Sequence, residues 1–367
     1  MKFSKMVAIL IIKQVSLYRG MKNEKRKIKT KKRKAILKKF VLTKEQKREI
    51  DKLFMENYGK KVPYDWHRYY ASYTGNFDAR FIPELLYIPK IEVMMNTPAQ
   101  KEVMADKNLL PLLIPEVSGA HTAKIYLSCQ KGVLTDDKHN IINIDTAINN
   151  LYDIGKVFVK PTIDSSSGQG CKIVDFKNGV DTISEKTVEE TLKELGNNYN
   201  VQELIENSDD LKALHPQSLN TLRTTTYVLN GKIYHFPFIL RMGVGESNLD
   251  NAHQGGYFIG VNDDGTLLDK AFTEFQNIAT KHPTTGIEFK GYRINGMEKA
   301  ISALHKLHSL YPQVGMISWD VTIDKDGRVI IIEMNLHGQS IWLSQMAHGK
   351  GAFLDNTKDV LKMISKK

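Results

Sequence analysis

The chain has 367 residues, 41% of them hydrophobic and 25% charged, which are the proportions of a soluble globular protein with room for two or three subdomains. Its excess positive charge is confined to one end: residues 1–52 hold 19 Lys/Arg and 4 Asp/Glu, whereas residues 53–367 hold 33 basic and 37 acidic side chains. The basic balance therefore describes an N-terminal arm, and no nucleic-acid partner is expected for the body.

Residues 6–12 form an apolar run of seven, far short of the roughly 20 that span a bilayer. No small-residue cleavage site follows at Ser16-Leu17-Tyr18-Arg19, so the chain reads as cytoplasmic. From Arg19 to Lys39 the only acid is Glu24. Such a run suits a solvated helix or tail, or else peripheral contact with an anionic membrane surface or polymer. The arm is assigned to residues 1–42. Thr43-Lys44-Glu45-Gln46 then resembles a capping start for a helix reaching about residue 58. A helical region is expected over 43–107, broken into short helices and turns by Pro63, Pro83, Pro89 and Pro98. Within it Trp66, Tyr69, Tyr70 and Tyr73 read as a packed platform or, alternatively, part of a substrate wall.

A small mixed subdomain is expected over 108–200. Val157-Phe158-Val159-Lys160-Pro161 is a short buried-type strand stopped by proline, and Asp164-Ser165-Ser166-Ser167-Gly168-Gln169-Gly170 follows before a strand returns at Cys171. A loop of small residues lets backbone N–H groups approach an anion, and Lys160 adds a point charge for phosphate oxygens. A flexible hairpin tip is the plainer alternative. No Lys-Ser/Thr pair follows the glycines, so the loop is not a P-loop. The two cysteines, Cys129 and Cys171, suggest no disulfide framework, and Cys171 is expected as a reduced, packed thiol. Residues 199–206 read as a strand leading into Asn207-Ser208-Asp209-Asp210, with a C-terminal subdomain from residue 201 to 367.

In that subdomain Asn230-Gly231 signals a two-residue hairpin, which brings Arg223 and Arg241 to the same end of adjacent strands. Two neighbouring guanidinium groups repel unless an anion lies between them, and a transferred phosphate is the expected anion. A helix is predicted over 297–311, with Met297, Ile301, Leu304 and Leu307 as its apolar stripe and His305 and His308 on its polar face. Residues 318–323 and 329–335 then flank Asp324-Lys325-Asp326-Gly327 as a hairpin. A four-residue loop sets Asp320 opposite Ile331, with Glu333 diagonal to it. A two-residue loop sets Asp320 opposite Glu333. Any even loop leaves Asp320, Glu333 and Asn335 on one face, an oxygen set suited to Mg²⁺ with substrate phosphates completing its shell. An amphipathic helix is expected over 355–364.

In order and spacing, Lys160-Pro161 with the Ser/Gly loop, Val201-Gln202-Glu203-Leu204-Ile205, Asp320 and Glu333-x-Asn335 resemble the ATP-grasp superfamily. Trp66-His67, Pro83-Glu84, Asp106-Lys107-Asn108, His215-Pro216, Asn220-Thr221-Leu222-Arg223, Asp250-Asn251 and Gly255-Gly256 resemble more closely the sugar-transfer-associated ATP-grasp family found with bacterial surface-polysaccharide genes. The resemblance implies an α+β fold of two subdomains clasping ATP, with a helical N-terminal extension. It implies Lys107 and Lys160 on the phosphates, Ser166, Ser167 and Gly168 closing over them, and Gln202, Glu203, Leu204 and Ile205 at the adenine. Asp210, with Asp209 as substitute, falls at the ribose. Asp320, Glu333 and Asn335 fall at one or two Mg²⁺ ions, and Arg223 and Arg241 on the transferring phosphoryl group. Asn251 and His253 stand beside the nucleophile or serve only the turn, while His337 orients substrate, acts as a base or is simply an exposed loop residue. The implied reaction joins an amine to a carboxylate through an acyl phosphate, on a small-molecule or glycan-precursor substrate. A phosphotransferase and a non-catalytic nucleotide- or glycan-binding module are the alternatives.

Overall fold

The computed structural model describes residues 2–97, 99–100, 104, 106–162, 170–247, 250, 255–339 and 341–365, with side chains from Ile12 onward, Lys13 excepted. Two helices open the chain, α1 (Lys2–Ile28) and α2 (Lys31–Leu37). They are not a free arm. Leu17, Met21, Glu24 and Ile28 recur at helical spacing, and Glu24 and Ile28 are buried. Gly20 marks the crossing, because a Cβ there would lie 2.8 Å from that of Pro89. From α2, Arg33 reaches Glu84 at 3.8 Å and Glu274 at 3.5 Å, above the ring of Tyr69. The boundary at residue 42 is therefore corrected: the basic segment from Gly20 onward belongs to the body.

Helix α3 (Lys44–Tyr58) starts at a capping box in which Thr43 Oγ1 accepts from the Gln46 amide and the Gln46 side chain accepts from the Thr43 amide. Gly59, at φ 78°, ends it. Helix α4 (Asp65–Thr74) carries Trp66, Tyr69, Tyr70 and Tyr73, all buried. The packed-platform reading holds and the substrate wall does not. A π-helical turn follows at Tyr87–Glu92.

Strand β1 (Ala120–His121) belongs to the larger of two sheets. The smaller sheet is built from β2 (Ile125–Gln130), β3 (Val133–Asp136), β4 (Ile141–Ile142), β5 (Gly155–Pro161), β6 (Lys172–Lys177), β7 (Val180–Asp181) and β8 (Asn198–Glu203), in the order β4-β3-β2-β8-β5-β6-β7. Helices α5 (Ile144–Leu151) and α6 (Val188–Leu195) supply Ala147, Leu151, Val188 and Leu192 to the core beneath it, against Val157, Val159, Val174 and Phe176. The sheet of this smaller subdomain thus runs from residue 125 to 203, so the expected boundary at 201 falls inside its central strand.

The larger sheet contains β9 (Thr221–Leu229), β10 (Lys232–His235), β11 (Phe238–Met242), β12 (Tyr257–Val261), β13 (Leu267–Phe272), β14 (Ile278–Ala279), β15 (Met316–Ile323) and β16 (Val329–Asn335). Its order is β1-β16-β15-β9-β11-β12-β13-β14, with β10 pairing β9. Between sheets the chain forms α7 (Asp209–Leu214), and later come α8 (Met297–Ser309), α9 (Ile341–His348) and α10 (Thr357–Ser365). Leu304 and Leu307 of α8 pack with Leu222, Trp319 and Val321 on one face of the sheet. His308 is fully buried, its ring nitrogens 2.6 Å from Thr226 Oγ1 and 2.8 Å from the Val314 carbonyl, which corrects its polar-face assignment. On the opposite face, residues of the N-terminal helices and of α9 and α10 share a core with Tyr227, Ile239, Phe258 and Met316. Arg223, Asp320 and Glu333 lie on this same face beside that core, with Ile239 directly opposite Arg223.

Candidate active site

Two local irregularities decide which side chains meet. Ile323 pairs with Val329, so the hairpin loop is Asp324-Lys325-Asp326-Gly327-Arg328, closed by Asp324 N to Arg328 O at 3.0 Å. Its odd length matches neither expected loop and would, in a regular ladder, turn Glu333 away from Asp320. The ladder instead slips by one residue at Ile332, so that Asp320 faces Glu333 and Ser318 faces Asn335. The bulge restores the shared face.

The second slip lies beyond the Asn230-Gly231 turn, where both residues have positive φ, 50° and 73°. Leu229 pairs with Lys232, and a regular continuation would set Arg223 opposite Phe238 and send Arg241 to the other face. One extra residue at Phe236-Pro237 sets Ile239 opposite Arg223 and Arg241 opposite Thr221. Since Asp320 also pairs with Arg223, the residues Arg223, Asp320 and Glu333 form one cross-strand row. Arg241 and Thr221 flank it on one side, Ser318 and Asn335 on the other.

Asp320 is buried between the two arginines, with Arg223 Nε 3.4 Å from Oδ1 and Arg241 Nη2 3.3 Å from Oδ2. The anion separating the guanidinium groups in this structure is thus a protein carboxylate. Arg241 also donates to Thr221 Oγ1 at 3.0 and 2.7 Å and lies 3.5 Å from Asp250, which accepts the Thr221 hydroxyl. Burial alone would lower the Arg241 guanidinium, but Asp250, Asp320 and Glu333 outweigh it and raise it above its ordinary value. Burial pushes the Asp250 carboxyl up despite Arg241 beside it.

Asp320 Oδ1, ion-paired with Arg223 at 3.4 Å, accepts no hydrogen bond although it is buried, so it has room for a further partner. A buried carboxylate oxygen left in that state suits a cation. Glu333 and Asn335 share its face, and this donor set of two carboxylates and an amide fits Mg²⁺. Among the described residues no group of three or more His, Cys, Asp or Glu forms a metal cage, so ligand oxygens would have to complete the shell.

Two lysines face this set across a narrow cleft between the sheets, lined in part by Thr122, Ala123, Gln202 and Ile331. Lys107 Nζ lies 3.5 Å from Glu333 Oε1. Lys160, on β5, is only 9% exposed, and burial, with the charge of Lys107 added, pushes its ammonium down to about 8. Opposite it on β8 is Asn200, fully buried, whose amide oxygen and nitrogen both lack hydrogen bonds, as does the Thr162 hydroxyl. The cleft therefore holds buried positive charge and unfulfilled polar groups, the environment a polyphosphate can satisfy.

Other expected residues fare differently. Glu203 accepts from the Lys124 amide, and the hinge after β8 is tied to the hairpin turn through Ser208 N to Ile323 O at 2.9 Å and Lys325 Nζ to Glu206 at 2.9 Å. Leu204 and Ile205 are half-buried along that hinge. Asp210, expected at the ribose, already accepts from the Ser208 hydroxyl, the Leu211 amide and the Asn295 amide, bonds that tie its carboxylate to the fold. His337 Nδ1 is 3.5 Å from Glu92, whose oxygens accept the amides of Gly338 at 3.0 Å and Gln339 at 2.7 Å. The π-helical turn thereby pins the loop that follows Asn335. Ser166, Ser167, Gly168, Asn251 and His253 lie outside the described residues. Asp250, Thr221 and Ser318 are site residues not assigned a role from sequence; their roles depend on cross-strand register, although Asp250 and Thr221 stand within quoted motifs.

The profile of the sugar-transfer associated ATP-grasp family matches residues 89–360. The chain belongs to this family. Its two sheets, joined at the hinge after β8, are the two subdomains of an ATP-grasp fold. Solved structures similar to it include a carboxyaminoimidazole ribonucleotide synthase from Aspergillus clavatus complexed with ATP, at 10% identity and a TM-score of 0.37, covering 67% of this chain and 48% of that one. An L-amino acid ligase from Bacillus licheniformis matches at 14% identity and a TM-score of 0.37, covering 71% and 48%. D-alanyl-alanine synthetase A from Vibrio cholerae matches at 12% and 0.40, covering 71% and 64%. The chain spans about half the length of the first solved proteins it matches. No curated protein matches it. Among the described residues of this family member, no helix is long and apolar enough to cross a membrane.

Proposed function

We propose that the protein is an ATP-dependent carboxylate–amine ligase acting on a sugar or glycan-linked substrate of bacterial surface-polysaccharide biosynthesis. The observation that carries this reading is the buried Lys160 ammonium facing, across the cleft, a carboxylate row in which Asp320 Oδ1 is left without a hydrogen bond. The family supports ATP as the nucleotide. Lys107 and Lys160 hold its phosphates, and Gln202 lines the same cleft from β8.

Asp320, Glu333 and Asn335 would hold Mg²⁺, which would supply charge neutralisation at the phosphates. The substrate carboxylate attacks the γ-phosphorus, forming an acyl phosphate and releasing ADP. An amine then attacks the carbonyl carbon, loses a proton and expels phosphate. The first step brings a carboxylate against a polyanionic phosphate and the second develops an oxyanion on the carbonyl oxygen, and Arg223, half-buried beside Ser318 and Asp320, is placed to offset that negative charge. Arg241, braced by Asp250 and Thr221, holds Asp320 in position.

The alternative, a phosphotransferase in which a hydroxyl takes the γ-phosphate, uses the same lysines and carboxylates. Incubation with ATP, pooled amino acids and uronic-acid sugars separates the two. Ligation yields ADP, phosphate and an amide, and hydroxylamine added during turnover traps a hydroxamate. A phosphorylated sugar with no hydroxamate refutes the ligase.

A further inference from the structure

We propose that the first half of α1 docks on an anionic lipid bilayer. Helix α1 meets the body at Gly20, against Pro89. N-terminal to that crossing, every described side chain except Leu17 is exposed. Three are large and apolar: Ile12 is 66% exposed, Val15 43% and Tyr18 66%. They continue an apolar run, residues 6–12, that begins within the first two turns of the helix. Past the crossing the exposed face carries no large apolar side chain as far as Lys29. On the side away from Met21, Glu24 and Ile28 stand Lys22, Arg26 and Lys29, all exposed.

The 18 residues before the crossing span roughly 27 Å at 1.5 Å per residue, too little apolar length for insertion across a bilayer but ample for lying in its interface. Basic residues stand on both sides of the crossing, Lys2, Lys5, Lys13 and Arg19 before it and Lys22, Lys25, Arg26 and Lys27 after it, so the helix offers apolar side chains for the acyl boundary together with basic ones for headgroups. The positive charge alone would fit either of two polyanions, a membrane surface or a nucleic acid. The exposed apolar side chains decide between them, because a bilayer interface removes them from water and a duplex does not. Residues 53–367, with 37 acidic against 33 basic side chains, confine the attraction to the N-terminal helices.

The test uses the full chain with sucrose-loaded vesicles of phosphatidylcholine, with and without phosphatidylglycerol. Co-sedimentation is expected only with the anionic vesicles, weakening as salt rises. Reversal of Lys22, Arg26 and Lys29 to Glu lowers affinity by roughly tenfold or more. Ile12→Asp with Val15→Asp also weakens binding, while thermal unfolding and ATP turnover stay unchanged, since both positions are exposed and neither lines the cleft. Tyr18→Trp shows a blue-shifted emission on vesicle addition. Failure of the folded protein to sediment with anionic vesicles overturns the proposal. So does nucleic-acid binding that survives the apolar substitutions, or a dimer that those substitutions dissociate, which would assign the face to a second copy.

Discussion

Lys160→Met tests the electrostatic basis of the site with two readouts of opposite sign. In the ligand-free protein the ammonium is buried, and its titration is moved from 10.5 to about 8 by that burial and by the charge of Lys107. The displacement corresponds to about 3 kcal/mol of cost for keeping the charge in the folded state at neutral pH. A group lowered in this way destabilises the fold fully below pH 8, and the cost is relieved as pH rises from 8 to 10.5, where the unfolded chain still holds the proton and the folded one does not. Lys160→Met removes the charge at similar length. Ligand-free stability in urea at pH 7 is therefore expected to rise, by up to about 3 kcal/mol, and the advantage over the natural protein to shrink between pH 8 and 10.5. ATP affinity moves the other way. Phosphate oxygens favour the charged form, so the substitution weakens binding, and in the natural protein affinity falls as pH climbs past about 8. A variant that is less stable at pH 7, or that binds ATP with unchanged Kd, refutes the reasoning.

Asp320 and Glu333 separate catalytic need from structural need. Glu333→Gln, with a side chain 33% exposed, abolishes turnover while urea stability stays within about 0.5 kcal/mol. Asp320→Asn also abolishes it but costs about 3 kcal/mol of stability, because Arg223 and Arg241 lose the charge between them; equal stabilities for the two variants would dismiss that role. Arg223→Ala lowers kcat by a factor on the order of 10² to 10³, and Lys restores only part. Arg241→Ala in addition lowers the melting temperature, since it strands Asp250 and Asp320; steady-state kinetics beside thermal unfolding measures both.

The capping box at Thr43 and the two hairpins were legible because they rest on local chemistry and strand period, whereas the shared face of Asp320, Glu333 and Asn335 was expected only on the premise of an even loop. The reason that face is shared was not legible. It depends on an odd loop corrected by a slip at Ile332, just as the meeting of Arg223 and Arg241 depends on an extra residue near Pro237. Neither slip alters composition or spacing, so no periodicity reports it. The N-terminal segment was misread for a related reason: its charge density describes the exposed majority, while Glu24, Ile28, Arg33, Ile36 and Leu37 carry the packing. Truncation makes the distinction measurable. Removal of residues 1–16 leaves the crossing at Gly20 and should preserve melting temperature and turnover. Removal of residues 1–39 exposes the surface beneath Ile28, Ile36 and Leu37, at about 1.5 to 3 kcal/mol for each side chain. It also takes Arg33 from Glu84 and Glu274, leaving carboxylates buried without their cation. Together these losses approach the whole stability of an ordinary domain, so the shorter chain should fail to melt cooperatively. A soluble 40–367 fragment with an unchanged melting temperature would show that the helices rest on the body without supporting it.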